Sequence, residues 1–303
     1  MTAQGANVIP RPRVVLVDGV PMSALVAEAS GDLAPRAVVV AFHGGASTAA
    51  YFDCPGHPEL SLLRLGAELG YTMMALDRPG YGSSAPYPEA MADPDQRVAL
   101  AYGVVDKLAS ARGAGLFLVG HSAGCELAVR MAADERATDA GLIGLELAGT
   151  GVQYTDATAE MMKTASASNR PAGLREVIWE PADLYPPDVL SGMTNSASGA
   201  AYEVDMTRNW PQQDFPALAG RVGVPVQFTV AEHERVWQSD PQTLARIGGI
   251  FTASARFVLN EQIGTGHNIS LSHGASAYHA KVMAFVEQCC VPQENTSEEL
   301  EAG

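Results

Sequence analysis

The chain has 303 residues, of which 47% are hydrophobic and 17% charged, and this composition excludes a disordered protein. It carries 34 acidic residues against 19 Lys and Arg, which gives a formal net charge of -15 at pH 7. Because so acidic a surface repels phosphate backbones and anionic lipids, we expect neither a nucleic-acid partner nor a membrane partner.

Apolar runs of strand length recur along the chain. Two open it, at residues 13–17 and 24–29, and the turn Asp18-Gly19 between them predicts an antiparallel pair. The later runs are continuously apolar, as in strands covered on both faces, and span residues 37–42, 72–76, 116–119, 142–147, 226–230 and 255–259. Amphipathic segments of helical length separate them, at residues 59–69, 94–111, 123–134, 241–251 and 272–288. The alternation predicts an α/β fold with a mostly parallel, doubly wound sheet.

One interval, residues 151–216, contains no strand-like run but many aromatic, Met, Pro and Gly residues. An insertion this long between two strands exceeds an ordinary loop and points to a function. We therefore predict a core of residues 13–150 and 217–290, with residues 151–216 inserted as a helical lid. Residues 1–12 and 291–303 are predicted to be flexible tails. The chain shows no secretion signal and no metal-like cysteine spacing, so we expect a cytoplasmic protein with reduced thiols.

The motif Gly120-His121-Ser122-Ala123-Gly124 lies between a predicted strand and a predicted helix. In that context Gly-x-Ser-x-Gly is typical of a nucleophile elbow, a sharp turn that exposes the serine hydroxyl. The backbone at such a serine is strained, and close packing around it leaves room only for glycine two residues to either side. The pattern predicts Ser122 as a nucleophile.

Acyl transfer also needs backbone N–H donors for the oxyanion and a base for the serine. The first donor would be Ala123; the second would come from the turn His43-Gly44-Gly45-Ala46, with Gly45 preferred and Ala46 in reserve. Of the seven histidines, His267 lies in a glycine-flanked loop between the last strand and the last helix. That position predicts an exposed imidazole at the same sheet edge as Ser122.

Together with the segment Asp77-Arg78-Pro79-Gly80-Tyr81-Gly82, these motifs resemble the α/β-hydrolase superfamily over most of the chain. The resemblance implies an α/β-hydrolase fold and a catalytic triad in the order serine, acid, histidine. It implies an acid after the seventh strand, which here is Glu234. In a minority arrangement the acid follows the sixth strand, where Glu146 stands, and Glu232 is a further alternative.

Within the lid, the resemblance places Met161, Trp179, Tyr185 and Trp210 along an apolar substrate pocket. The sequence has no dinucleotide or phosphate-binding loop and no metal motif, so we expect no cofactor and no metal. The expected partner is a small-molecule substrate, and a homodimer is left open.

The prediction is a serine hydrolase that cleaves an ester, thioester or amide of a neutral, largely apolar small molecule through an acyl-enzyme. Two alternatives remain. An acyltransferase or cyclase would use the same acyl-enzyme while the lid excludes water. A lyase, an isomerase or a binding protein would use only the scaffold, since fold does not determine chemistry.

Overall fold

The computed structural model describes residues 8–30, 34–164, 173–193 and 197–291. Its centre is an eight-stranded sheet with the order β1-β2-β4-β3-β5-β6-β7-β8. The strands are β1 (Arg11–Val17), β2 (Val20–Ala27), β3 (Val38–Phe42), β4 (Thr72–Leu76), β5 (Leu116–His121), β6 (Leu142–Ala148), β7 (Val226–His233) and β8 (Phe257–Gly266). β2 pairs antiparallel with both β1 and β4, and all the other pairs are parallel. The predicted mostly parallel sheet is confirmed.

The helices flank this sheet and fill the interval between β6 and β7. They are α1 (Leu62–Glu68), α2 (Pro94–Leu108), α3 (Gly124–Ala133), α4 (Arg136–Asp139), α5 (Asp156–Met162), α6 (Leu174–Trp179), α7 (Pro187–Met193), α8 (Glu203–Asn209), α9 (Phe215–Ala219), α10 (Pro241–Ile250) and α11 (Ala275–Cys290). The described part of the chain contains no candidate for a membrane-spanning helix.

Two apolar layers cover the two faces of the sheet. One contains buried residues of α1 and α11, and the other contains buried residues of α2, α3, α9 and α10. The central strands are buried on both faces; every residue of β3, for example, is inaccessible to solvent. This burial explains why their sequences are continuous apolar runs without polar alternation.

Several boundaries differ from the sequence-based expectations; β2, for example, begins at Val20, four residues before the predicted start at residue 24. β1 begins at Arg11, so the prediction of a flexible tail is wrong for residues 11 and 12, while residues 1–7 and 292–303 lie outside the described part of the chain. β8 continues seven residues past the predicted end at residue 259. It is an edge strand whose outer residues are solvated, so polar residues such as Asn260 and Glu261 continue it without an apolar run.

The described portion of the segment between β6 and β7 forms five short α-helices, α5 to α9, over the carboxyl ends of the strands, and it contains no strand. Its later part packs into the core through Trp210 and Phe215, which stack with ring centroids 4.8 Å apart. We refer to residues 151–216, which the sequence predicts as a lid, as the lid segment.

Candidate active site

Four segments that carry candidate site residues follow directly after strands of the sheet. His43 follows β3, Ser122 follows β5, Glu234 follows β7 and His267 follows β8. Because these strands are parallel, their carboxyl ends meet at one edge, which is where α/β folds bind ligands.

Ser122 occupies a tight turn between β5 and α3, with a φ of 51°. This left-handed conformation is unfavourable for a residue with a side chain and is found at strained functional turns. The flanking glycines permit the turn: a Cβ on Gly120 would lie 2.8 Å from Cα of Cys125, and one on Gly124 would lie 2.1 Å from the carbonyl oxygen of Phe42. The turn therefore has the geometry predicted from the motif.

His267 approaches the serine directly. Its Nε2 lies 3.1 Å from Oγ of Ser122, which is hydrogen-bond distance for a general base. The expectation of an exposed imidazole is wrong, because His267 is only 3% exposed beneath the lid segment. Behind it, His121 donates from Nε2 to the carbonyl of His267 at 2.9 Å. Burial lowers the pKa of His121 to about 3, so that ring is a neutral support.

Glu234 contacts the other ring nitrogen. Both its carboxylate oxygens lie near Nδ1 of His267, at 3.0 and 2.9 Å, and Oε1 also accepts a hydrogen bond from the N–H of Val236 at 2.8 Å. Burial raises the pKa of Glu234, but His267 and the backbone N–H groups of Val236 and Trp237 outweigh it, and the net pKa is lowered. The carboxylate therefore stays ionised where it can orient an imidazole.

The structure does not bring the two alternative acids to His267. Glu146 lies inside β6, fully buried, and accepts hydrogen bonds from Gln227 at 2.8 Å and Tyr278 at 3.1 Å. Glu232 accepts a hydrogen bond from the N–H of Gly264 at 2.7 Å.

The loop after β3 lies beside the elbow, as an oxyanion site requires. A Cβ on Gly44 would lie 3.1 Å from Cβ of Ser122, and one on Gly45 would lie 4.0 Å from Cβ of Ala123. The N–H of Ala46, the reserve donor, is bound to the hydroxyl of Tyr81 at 3.0 Å. Gly45 and Ala123 therefore remain the better pair of candidate donors.

A cavity of about 740 Å³ opens above Ser122, between the strand ends and the lid segment. Of the four residues predicted along a substrate pocket, Trp179 and Trp210 line this cavity, and Met161 and Tyr185 do not. Met162, the neighbour of Met161, faces the cavity instead, whereas Tyr185 is 2% exposed and packs edge-on against Trp179. The helices of this segment are short and irregularly spaced. Their sequences therefore show no helical periodicity of apolar residues from which the face toward the cavity could be distinguished from the face toward the core.

Other aromatic and apolar residues also line the cavity, although the sequence analysis does not single them out. They include Tyr51, Tyr154, Leu174, Ile178, Met206, Val236, Trp237 and Leu271. The indole N–H of Trp210 donates to Thr150 and that of Trp237 to the carbonyl of Gly149, both at 2.8 Å. Because both donors are satisfied within the protein, these rings contribute mainly apolar surface to the cavity. Among the residues that the structure describes, no three His, Cys, Asp or Glu side chains converge as metal ligands.

Comparisons with known proteins agree with this architecture. A highly thermostable carboxyl esterase from Bacillus coagulans is 17% identical, with a TM-score of 0.67 over 93% of this chain and 99% of that one. A proline iminopeptidase from Mycobacterium smegmatis is 17% identical, with a TM-score of 0.64 over 92% and 99%. The thioesterase domain from the curacin biosynthetic pathway is 17% identical, with a TM-score of 0.60 over 91% and 99%. At these identities the likeness concerns the fold.

A search of curated proteins gives no match. A model of the alpha/beta hydrolase family, however, matches residues 38–280, which is most of the chain and includes every segment that carries Ser122, Glu234 and His267. The chain therefore belongs to the alpha/beta hydrolase family.

Proposed function

We propose that the protein is a serine hydrolase that cleaves a carboxylic ester, thioester or amide through an acyl-enzyme. The observation that carries this proposal is the continuous hydrogen-bonded series from Ser122 through His267 to Glu234, with contacts of 3.1 Å and 2.9 Å. A serine hydroxyl is a weak nucleophile until a neighbouring base can take its proton, and this series supplies that base and its orienting acid.

In this mechanism, Oγ of Ser122 attacks the substrate carbonyl while Nε2 of His267 takes the hydroxyl proton. Glu234 holds the imidazole in the tautomer that leaves Nε2 free to accept and stabilises the imidazolium that forms. The N–H groups of Gly45 and Ala123 stabilise the oxyanion. His267 then protonates the leaving group, and water activated by the same imidazole releases the acid.

The cavity supports a neutral, largely apolar acyl group as substrate. Its volume of about 740 Å³ suits a small molecule, and its walls are rich in aromatic and aliphatic side chains. The buried Glu126 and the partly buried Glu203 also line it, but each is already paired: Glu126 with Arg97 and Arg130, and Glu203 with Arg78. The exposed Arg175 and Glu176 line it too, and their opposite charges add no net charge. Because the charge of each paired carboxylate is already balanced by an arginine, these carboxylates do not favour a cationic substrate.

A fluorophosphonate probe followed by mass mapping of the labelled peptide tests the proposal. Such probes phosphonylate only a serine that a neighbouring base activates, so we expect a single label on Ser122. The matched control is Ser191→Ala, which removes an exposed serine of α7 and should label like the wild type. Absence of labelling in the folded wild-type protein, or labelling that persists in Ser122→Ala, would reject the assignment.

A further inference from the structure

A buried arginine supports the loop that carries the candidate oxyanion donor. Arg78 is inaccessible to solvent; its Nε donates to the carbonyl of His43 at 2.6 Å, and a terminal nitrogen donates to the carbonyl of Gly44 at 3.1 Å. Its backbone N–H donates to Nε2 of His43 at 3.1 Å. Arg78 thus holds the two residues that precede Gly45, and with them the direction of the Gly45 N–H.

The counter-ion of this arginine comes from the lid segment. Glu203, the first residue of α8, forms a salt bridge with Arg78 and is itself only 13% exposed. Burial lowers the pKa of Arg78, but the negative charge of Glu203 and the adjacent phenols raise it above its ordinary value. A buried guanidinium without such a partner would be costly in free energy. The charge balance of Arg78 beneath the loop after β3 therefore depends on where the lid segment places Glu203.

Tyr81 provides a second connection between the same two parts. Its hydroxyl donates to Oε2 of Glu203 at 2.7 Å and accepts the N–H of Ala46 at 3.0 Å and that of Ala200 at 3.3 Å. One phenol therefore bridges the lid segment to the residue that follows Gly45.

The lid segment packs closely against the loops after β3 and β4. Gly80 has a φ of +90°, and a Cβ there would lie 3.1 Å from Cβ of Ala200 and 3.2 Å from the ring of Tyr202. A Cβ on Gly45 would lie 3.4 Å from Oε2 of Glu203. The Glu203 carboxylate therefore lies against the oxyanion loop, where its negative charge would oppose an oxyanion unless Arg78 compensated it.

We propose that Glu203 is a positioning residue of the lid segment, which orients the Gly45 oxyanion donor through Arg78 and Tyr81. On this proposal, which rests on the proposed hydrolase function, the oxyanion site is complete only when α8 is docked. Losing the Glu203 charge would leave Arg78 uncompensated and shift the loop that it holds. The effect should fall on transition-state stabilisation, and hence on kcat, more than on substrate binding.

The test compares Glu203→Gln with Asp205→Asn, which makes the same charge change on the same helix at a side chain that is 84% exposed. We expect Glu203→Gln to lower kcat for a 4-nitrophenyl ester by about 10- to 100-fold, since a displaced oxyanion donor has effects of that order, with KM changed by less than about threefold. Asp205→Asn should match the wild type. An unchanged kcat in Glu203→Gln, or a rise in KM alone, would overturn the proposal.

A thionoester of the same acyl group distinguishes positioning from general damage. Sulphur accepts hydrogen bonds poorly, so the ratio of ester to thionoester kcat/KM reports the oxyanion donors. We expect this ratio to fall in Glu203→Gln, and to fall less in Tyr81→Phe, which keeps the salt bridge but removes the phenol bridge. A constant ratio with lower activity and lower thermal stability would indicate a structural role only and would also overturn the proposal.

Amide hydrogen exchange of residues 44–46 gives a readout that does not depend on activity. We expect faster exchange there in Glu203→Gln than in Asp205→Asn, and equal exchange would contradict the proposal. If the wild-type protein neither labels on Ser122 nor hydrolyses an ester, the proposed function fails, and the exchange comparison still decides whether the lid segment orders this loop.

Discussion

The carboxylate of Glu234 lies against Nδ1 of His267 with both oxygens, at 3.0 and 2.9 Å. An acid in this position orients the imidazole and stabilises its protonated form in the transition state. We therefore expect Glu234→Gln to lower kcat by on the order of 10²–10⁴-fold with little loss of folding, as the amide substitution does in other triads. The measurement is kcat on a 4-nitrophenyl ester, alongside thermal unfolding.

Glu146→Gln is the matched comparison for that variant. Because Glu146 contacts Gln227 and Tyr278 and not His267, its amide should change kcat by less than about tenfold. The reverse ranking of the two variants would move the acid to β6.

The buried Glu146 should make stability depend on pH. Burial raises its pKa to about 8, against an unfolded value near ~4.3. Between these values the folded state keeps a proton that the unfolded chain has lost, so this group makes the protein less stable as the pH rises through that window. Glu146→Gln stays neutral throughout, and its stability relative to the wild type should increase by on the order of a few kcal/mol between about pH 5 and pH 8.

Urea unfolding at the two pH values measures this difference. Glu160→Gln, an exposed carboxylate of α5, is the control and should follow the wild-type pH dependence. Parallel pH profiles for Glu146→Gln and the wild type would mean that Glu146 is ionised in the folded protein.

The cavity should set the acyl-chain preference. Val204 on α8 lines it and is only partly buried, so tryptophan at this position would occupy cavity volume rather than core. We expect Val204→Trp to lower kcat/KM for a decanoyl ester by about tenfold or more relative to a butyryl ester, because each buried methylene contributes about 0.8 kcal/mol. Asp205→Trp, on the solvent side of the same helix, should leave the ratio unchanged. If both variants kept the wild-type ratio, the acyl group would bind elsewhere.

Much of the fold can be predicted because the patterns that indicate its strands and turns lie within short stretches of sequence. The strand at Thr72–Leu76 matches its apolar run residue for residue, since a strand buried on both faces ends where polar residues begin. The Ser122 turn is equally readable, because close contacts two residues to either side admit only glycine. Edge strand β8 was underestimated because its solvated residues give no apolar run.

The choice of acid and the walls of the cavity depended on contacts that sequence spacing does not encode. Glu146 and Glu234 both lie near strand ends, but Glu146 stands inside β6 and faces Tyr278 of α11, whereas Glu234 stands one residue beyond β7. The salt bridge between Arg78 and Glu203 joins the loop after β4 to the lid segment, 125 positions apart in the chain, and no sequence pattern links the two residues. Only the folded arrangement relates them.

The most direct test of the acyl-enzyme is the mass of the protein quenched in acid during turnover of a 4-nitrophenyl ester. In the wild type, we expect a mass gain equal to the acyl group on the peptide that carries Ser122. Ser122→Ala should keep its fold and show no such adduct. Its kcat should fall to the residual acceleration of about 10³–10⁴-fold over water that an oxyanion site and binding supply. An acyl group on another residue, or turnover by Ser122→Ala at the wild-type rate, would contradict the mechanism.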